Sequence, residues 1–261
     1  HGGLTLDMLL ANGNLDTGPV GGVTIYGTTG NDNLFGTPGN DTILADLGND
    51  FLQGGAGSDL LNGGIIADLQ SDAGFRDSDR VDYSTAPGAV NVNLTTGVAS
   101  DGTGGTDTLI GIEGVNGSAF DDVLTGAGAF VESFFGGSGN DTINGAGGFD
   151  RAEYSNATTT GVSISLGALG GPANSSAMVS GDPSVGVDTL QDVEQFIGTN
   201  FADTFVVNAF SNASQPGGFF SNFNTFEGRG GDDYITGNAT TRIQYGSASS
   251  SVTVNLATDI A

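Results

Sequence analysis

A nine-residue period governs this chain. From Gly27 it reads GTTGNDNLF, GTPGNDTIL, ADLGNDFLQ and GGAGSDLLN, then more loosely GGIIADLQS. Position four is Gly30, Gly39, Gly48 and Gly57, and position six is Asp32, Asp41, Asp50, Asp59 and Asp68. Position eight is Leu34, Ile43, Leu52 and Leu61. The preceding block, Gly18 to Tyr26, keeps Gly18, Gly21 and Ile25 but has Val23 where the Asp should stand, so it reads as a capping turn. Glycine tolerates positive φ and close backbone approach, so the first six residues of each unit form a tight turn. The last three, with one apolar residue at the centre, are too short for a helix and fit a short strand with one inward side chain. Two units return the chain to its start. The predicted class is all-β, a parallel β-solenoid whose coils hold about 18 residues and stack about 4.8 Å apart.

The same grammar recurs downstream. GGSGNDTIN and GAGGFDRAE span Gly136 to Glu153, GRGGDDYIT spans Gly228 to Thr236, and GTGGTDTLI follows the pattern from Gly102. DTLIGIEGVNGSAFDDVL from Asp107 matches DTLQDVEQFIGTNFADTF from Asp188 at an offset of 81. A further element starts at Arg80 as RVDYSTAPGAVNVNL and recurs from Arg151 and Arg242; its VNVNL, VSISL and VTVNL each predict a strand with one buried face. No segment has a helical period. The boundaries read as an N-terminal segment 1–17, a first array 18–77, a linking β segment 78–135 and a second array 136–153. A second linking segment covers 154–227, and 228–261 holds a third copy and the start of a further repeat. That last repeat breaks off at Ala261, so the sequence reads as a piece of a longer repetitive polypeptide.

Charge narrows the function. Thirty acids face five bases, all Arg, for a formal net charge of −25. Such a chain has no basic face for nucleic acid or an anionic membrane surface. No apolar run approaches membrane-spanning length. With no Cys and a single His at position 1, thiol catalysis, a Ser-His-Asp triad and His-based zinc sites are excluded. Paired acids, Asp121–Asp122 and Asp232–Asp233, sit inside the repeats and read as turn residues rather than acid–base pairs.

Asp is a good turn residue in its own right. That alone does not account for one Asp per nine residues, each with Gly two positions before it. In the coil geometry, carboxylates one coil apart lie about 5 Å from each other, and their repulsion is about 1 kcal/mol in water and 3–4 kcal/mol at an effective dielectric of 20. Five Arg cannot balance such rows. A hard divalent cation held by carboxylates and turn carbonyls can, and calcium suits flexible oxygen sites better than magnesium.

These blocks resemble the G-G-x-G-x-D-x-U-x repeats of RTX proteins, which leave bacteria by type I secretion; GGAGSDLLN and GGSGNDTIN match at every defined position. The resemblance implies a calcium-loaded parallel β-roll, as in serralysin-type C-terminal regions and long RTX surface proteins. It implies ions between turns one coil apart, held by carbonyls and the two Asp. Carried over, one set is Thr28, Gly30 and Asp32 with Ala45, Leu47 and Asp50; a second is Thr37, Gly39 and Asp41 with Gly54, Ala56 and Asp59. A third is Asp46, Gly48 and Asp50 with Gly63, Ile65 and Asp68, weakened by Ile66 at position four. The second array offers Gly136, Gly137, Ser138, Gly139 and Asp141, together with Gly148 and Asp150. Asp122 precedes Asp141 by 19 residues, so pairing them needs a bulge, while Asp203 and Asp233 are motif-like but isolated.

Other features have bland readings. Tyr83, Tyr154 and Tyr245 read as packing residues rather than sugar platforms. Arg80, Arg151 and Arg242 pair with neighbouring acids, Phe219, Phe220, Phe223 and Phe226 fill a core, and Asp182–Pro183 is a loop. The expected function is a non-enzymatic calcium-binding scaffold, secreted or on a bacterial cell surface. It folds outside the cell and self-associates in a layer, filament, matrix or adhesin. The rivals are the accessory region of a secreted protease, lipase or alginate epimerase, and a carbohydrate-binding adhesin module.

Overall fold

The computed structural model describes residues 21–64, 78–128, 131–167, 176–207, 224–237 and 241–247. Among these residues there are strands and turns and no helix. The nonapeptides place their x-apolar-x triplets in β1 (Thr24–Tyr26), β2 (Asn33–Phe35), β3 (Thr42–Leu44), β4 (Phe51–Gln53) and β5 (Leu60–Asn62). In β2 to β5 the middle residue is buried and its neighbours are more exposed. The chain continues through β6 (Arg80–Asp82), β7 (Asn91–Asn93), β8 (Val98–Ser100), β9 (Thr106–Ile110), β10 (Gly114–Asn116) and β11 (Val123–Thr125). Next come β12 (Ser133–Phe135), β13 (Thr142–Asn144), β14 (Arg151–Glu153), β15 (Ser163–Leu166), β16 (Ser176–Ser180) and β17 (Asp188–Gln191). The last are β18 (Gln195–Ile197), β19 (Thr204–Val207), β20 (Asn224–Glu227), β21 (Tyr234–Thr236) and β22 (Thr241–Gln244).

Successive strands alternate between two sheets, which makes a roll. Thr24, Thr42 and Leu60 stand side by side in one sheet, and Asn33 pairs with Phe51 in the other, so neighbouring strands lie 18 residues apart along the chain. The core is the ladder of middle residues: Ile43, Leu61 and Leu109 face Leu34, Leu52, Val81 and Val115. Further along, Phe134, Phe196, Phe205 and Phe226 replace the aliphatic residues and are fully buried. The Phe205 and Phe226 rings are 4.6 Å apart, a spacing suited to tilted aromatic packing.

The sheets differ in size. One has nine strands in steady order, β2-β4-β6-β10-β12-β14-β18-β20-β22. The other has 13, because twice the chain lays three successive strands in it where one would do: β8 lies antiparallel between β7 and β9, and β16 between β15 and β17, so each insertion adds two strands. The alternating VNVNL and VSISL segments are where the insertions begin. After VNVNL, Thr95-Thr96-Gly97 turns the chain, with Gly97 at φ 65° and Thr96 N–H donating to Asn93 Oδ1. Each insertion also moves the register. Val92 pairs with Ala99, which faces Asp107, although the core residue of β9 is Leu109. The shift is two residues, so inward side chains stay inward. Ile164, Val179 and Asp188 repeat the arrangement 72 to 81 residues later.

Candidate metal centre

Most turns between the two sheets end in an acid just before the next strand, and stacking turns stacks the acids. The backbone N–H of Asp32 donates to Asp50 Oδ1 (2.8 Å), and that of Asp41 donates to Asp59 Oδ1 (2.7 Å). The other carboxylate oxygen folds back over its own turn. Thr28 and Thr37 N–H donate to Asp32 Oδ2 (2.6 Å) and Asp41 Oδ2 (2.5 Å), each four residues ahead. This is why position one is glycine: a Cβ on Gly54 or Gly136 would fall on Asp59 Oδ2 or Asp141 Oδ2. Later turn positions need glycine for the stacking itself. Gly57 has φ 121° and its missing Cβ would press on Gly39, one coil away. Position five adds an amide ladder, with Asn49 N–H donating to Asn31 Oδ1 (3.0 Å) and Ser58 N–H to Asn40 Oδ1 (2.9 Å).

The rows extend beyond the nonapeptides. On the edge of the 13-stranded sheet, Asp59 N–H donates to Asp107 Oδ1 (2.9 Å). After the first insertion a new row begins: Val90 to Asp122 (2.8 Å), Asp122 to Asp141 (2.9 Å) and Asp141 to Asp188 (2.9 Å). After the second, Val162 donates to Asp203 (2.8 Å) and Asp203 to Asp233 (3.0 Å). On the nine-stranded edge, Asp50 donates to Asp79 (2.8 Å) and Asp79 to Glu113 Oε2 (2.9 Å). Glu132 then donates to Asp150 (3.1 Å) and Asp150 to Glu194 Oε2 (2.9 Å).

Asp79, Asp107, Asp188, Glu113, Glu132 and Glu194 are therefore row members that the motif reading missed. Asp107 had a signal, since it holds position six of GTGGTDTLI. Glu113 and Glu194 recur at matching places of the 81-residue repeat, but nothing in the nonapeptide pattern marks them or Glu132 as row members, because they stand in turns of altered length where a longer side chain reaches the row. Glu113 and Glu194 follow short corners at Gly111 (φ 59°) and Asp192 (φ 51°).

The predicted sets are placed as follows. The turns holding Thr28, Gly30 and Asp32 and Ala45, Leu47, Gly48 and Asp50 are stacked neighbours; a Cβ on Gly48 would meet the Gly30 backbone. Thr37, Gly39 and Asp41 stack likewise on Gly54, Ala56 and Asp59, since a Cβ on Gly55 would meet Thr37 O. In the third set, Gly64, next to Gly63, lies against Asp46 O, but the row position beside Asp50 is taken by Asp79. Ile65 and Asp68 lie outside the described residues. Gly137 and Gly139 lie on Ser118 and Phe120, so the turn containing Gly136, Ser138 and Asp141 stacks on the turn ending in Asp122. No bulge in a strand is needed for the 19-residue spacing. The opposite turn, from Gly126, absorbs the extra residue: Ala127 N–H donates to Glu132 five residues ahead, and β11 and β13 stay in register. Gly148 and Asp150 belong to the next turn on that edge. Asp203 and Asp233 are adjacent members of one row rather than isolated acids.

Burial makes these rows electrostatically demanding. Loss of water, then repulsion from Asp188 and Asp122, pushes Asp141 up to about 8. Loss of water, then Glu132 and Glu194, pushes Asp150 up to about 9. Burial likewise raises Asp107, Asp188 and Glu194 to about 7, and raises Asp59, Asp122, Asp203 and Asp233 from their ordinary value. Asp59 Oδ2, Asp141 Oδ2 and Asp150 Oδ2 are buried with no hydrogen-bond partner. Such oxygens need a proton or a cation. The donor set is oxygen throughout, which fits calcium. Among the described residues no three acidic side chains converge on one point. A cation between two turns would thus be held by the carboxylates together with turn carbonyls.

Two acids are satisfied differently. Asp182 accepts from Ser184 Oγ (2.6 Å) and from the N–H groups of Ser184, Thr159 and Thr160, and the Ser184 hydroxyl foremost holds it well below the usual range. Asp101 accepts from the N–H groups of Thr103, Gly104 and Gly105 and from the Thr103 hydroxyl. Both follow an inserted antiparallel strand, and protein donors fill the role of the counter-charge there. Asp182 thus closes a loop, as read from the sequence.

Tyr83 and Tyr154 are buried, and Tyr83 donates to Asp107 Oδ2 (2.9 Å), so they pack under the rows; Tyr245 is exposed. Arg80 and Arg151 both lie 3.5 Å from Glu153 Oε1. Arg80 lies flat across Gly114, where any Cβ would strike it, and covers the Phe135 ring at 4.8 Å. Phe226 is a core residue; Phe219, Phe220 and Phe223 lie outside the described residues.

The RTX calcium-binding nonapeptide repeat, in four copies, matches residues 26–61, 131–152 and 221–240. No curated protein matches the chain. Matched stretches fall on turns whose carboxylates stack coil upon coil, and so the chain carries RTX calcium-binding repeats within a parallel β-roll.

Proposed function

We propose that this roll is a structural element of a secreted or cell-surface protein, without catalytic activity of its own, and that calcium outside the cell completes its fold. The observation that carries the reading is the trio of buried, unpartnered oxygens on Asp59, Asp141 and Asp150. In low calcium these groups and a net charge of −25 oppose compaction; at millimolar calcium each bound ion offsets them. The rows also run through both linking segments, which supports one calcium-dependent stack in place of beads joined by passive linkers. Self-association in an extracellular layer or filament follows from the repetition and the loss of repulsion on loading.

The experiment is circular dichroism and electron microscopy of the purified chain with calcium and with chelator. Calcium-dependent β signal and calcium-dependent ordered assemblies support the scaffold. A β signal indifferent to chelator overturns the calcium-completed fold. A calcium-folded chain that stays monomeric at all concentrations overturns self-assembly.

A further inference from the structure

Three Asn–Gly steps among the described residues, Asn62–Gly63, Asn116–Gly117 and Asn144–Gly145, share one place in the coil. Each asparagine is the last residue of a strand, and each glycine opens the following turn. We propose that these three steps are deamidation sites that the stacked roll holds shut and that react when the coils come apart.

The chemistry uses only the chain and water. The backbone nitrogen of the glycine, on losing its proton to solvent, attacks the asparagine Cγ. The C–N bond to the side-chain amide breaks and ammonia leaves, forming a cyclic imide. Water then opens the imide at either carbonyl, giving aspartate or isoaspartate. Glycine makes the step fast in a free chain because no side chain hinders the attacking nitrogen.

In the roll that nitrogen is occupied. Gly63 N–H donates to Ile110 O (2.9 Å), Gly117 N–H to Phe135 O (2.7 Å) and Gly145 N–H to Gln191 O (2.9 Å). All three acceptors belong to the adjacent strand, so ring closure requires neighbouring coils to separate. The side chains are held too. Asn62 Oδ1 accepts from Gly64 N–H (3.0 Å) and Asn144 Oδ1 from Ala146 N–H (2.9 Å), which starts each turn. Asn116 is held at both ends: its Nδ2 donates to Asp82 Oδ1 (3.0 Å) and its Oδ1 accepts from Arg80 (3.0 Å).

The glycines cannot be exchanged to remove the hazard. A Cβ at Gly63 would meet Asp79 Oδ2 and Gly111 O, one at Gly117 would meet Asp122 Oδ2, and one at Gly145 would meet Asp150 Oδ2 and Asp192 O. The same architecture that stacks the carboxylates therefore imposes glycine after these asparagines. Isoaspartate would add a backbone carbon at a strand end, where a register held by pairs on both sides has no room for it.

Opening governs the rate, so protection follows the population of separated coils. The full chain is incubated at neutral pH with calcium, with chelator, and in calcium-free urea. Deamidation at each step is followed by peptide mass spectrometry and isoaspartate detection, and β content by circular dichroism. The expected result is a rate in urea about tenfold or more above that in calcium at all three steps. The chelator rate should lie near the urea rate, with Asn116 slowest in calcium. Equal rates in calcium and urea would overturn the proposal. If chelator leaves both the β signal and the slow rate intact while urea accelerates it, protection by the fold stands and the calcium-completed fold under Proposed function fails. Asn62→Gln, which removes one site and leaves its glycine, must abolish reaction at that step alone; persistence of the product there would also overturn it.

Discussion

At the scale of single residues, the rows contain two kinds of acid, and substitution separates them. Asp141 has a buried oxygen without a donor, whereas Asp182 is met by hydroxyl and N–H groups. Asp141→Asn should lose one bound ion, lowering stability by about 1.4 kcal/mol at calcium ten times its dissociation constant, with little change in chelator. Asp182→Asn should instead weaken the fold equally with and without calcium; thermal melts in both conditions check the pair. Protons and calcium compete for the same oxygens. Asp141 and Asp150 titrate at about 8 and about 9 in the folded chain because burial disfavours their charged forms, while an unfolded Asp titrates near 4. A raised carboxyl pKa contributes its stability in full below about pH 4 and loses it as pH rises through the folded value. The metal-free chain should thus hold most β structure in mild acid and lose it toward pH 9, and calcium should abolish that loss. Circular dichroism across this range, with and without calcium, is the measurement. The nonapeptide aspartates were legible one by one, because Gly two positions before each marks the turn. Glu132 and Glu194 were not, since nothing local distinguishes a glutamate that reaches a row from one that faces solvent.

At the scale of elements, the turn is more constrained than the strand. Gly136→Ala places a methyl on Asp141 Oδ2, so it should cost about 1–3 kcal/mol and weaken calcium binding at that turn. Leu61→Ala empties a fully buried core position and should cost about 2–5 kcal/mol whether or not calcium is bound. Calcium titrations of the two variants, each with a denaturation curve, distinguish these effects. Strand length, the inward residue and the 18-residue register all followed from the nine-residue period. The inserted strands did not. VNVNL reads as a strand by its alternation, but its partner Val98–Ser100 has a single small buried residue, Ala99, and no pattern of its own. Only the Thr95-Thr96-Gly97 turn hints at the reversal, and the two-residue register shift arises from pairing across the sheet, which local sequence does not encode.

At the scale of the whole molecule, loading should be cooperative in patches. Rows on the 13-stranded edge restart after each insertion, at Val90 and Val162, where no acid stands. Calcium should therefore fill separate stretches, and hydrogen exchange during titration should show strands around Asp41–Asp107, Asp122–Asp188 and Asp203–Asp233 gaining protection as distinct groups; uniform protection of all strands at one calcium level would contradict it. The unequal strand numbers have a further consequence. Among the described residues thirteen strands in one sheet stand against nine in the other, so the larger sheet holds four more strand spacings, about 19 Å. Two bonded faces of unequal length cannot both lie straight. That inequality favours an arc with the larger sheet on its convex side, as in a bimetal strip, and every added hairpin in a longer array of such units would favour a tighter bend.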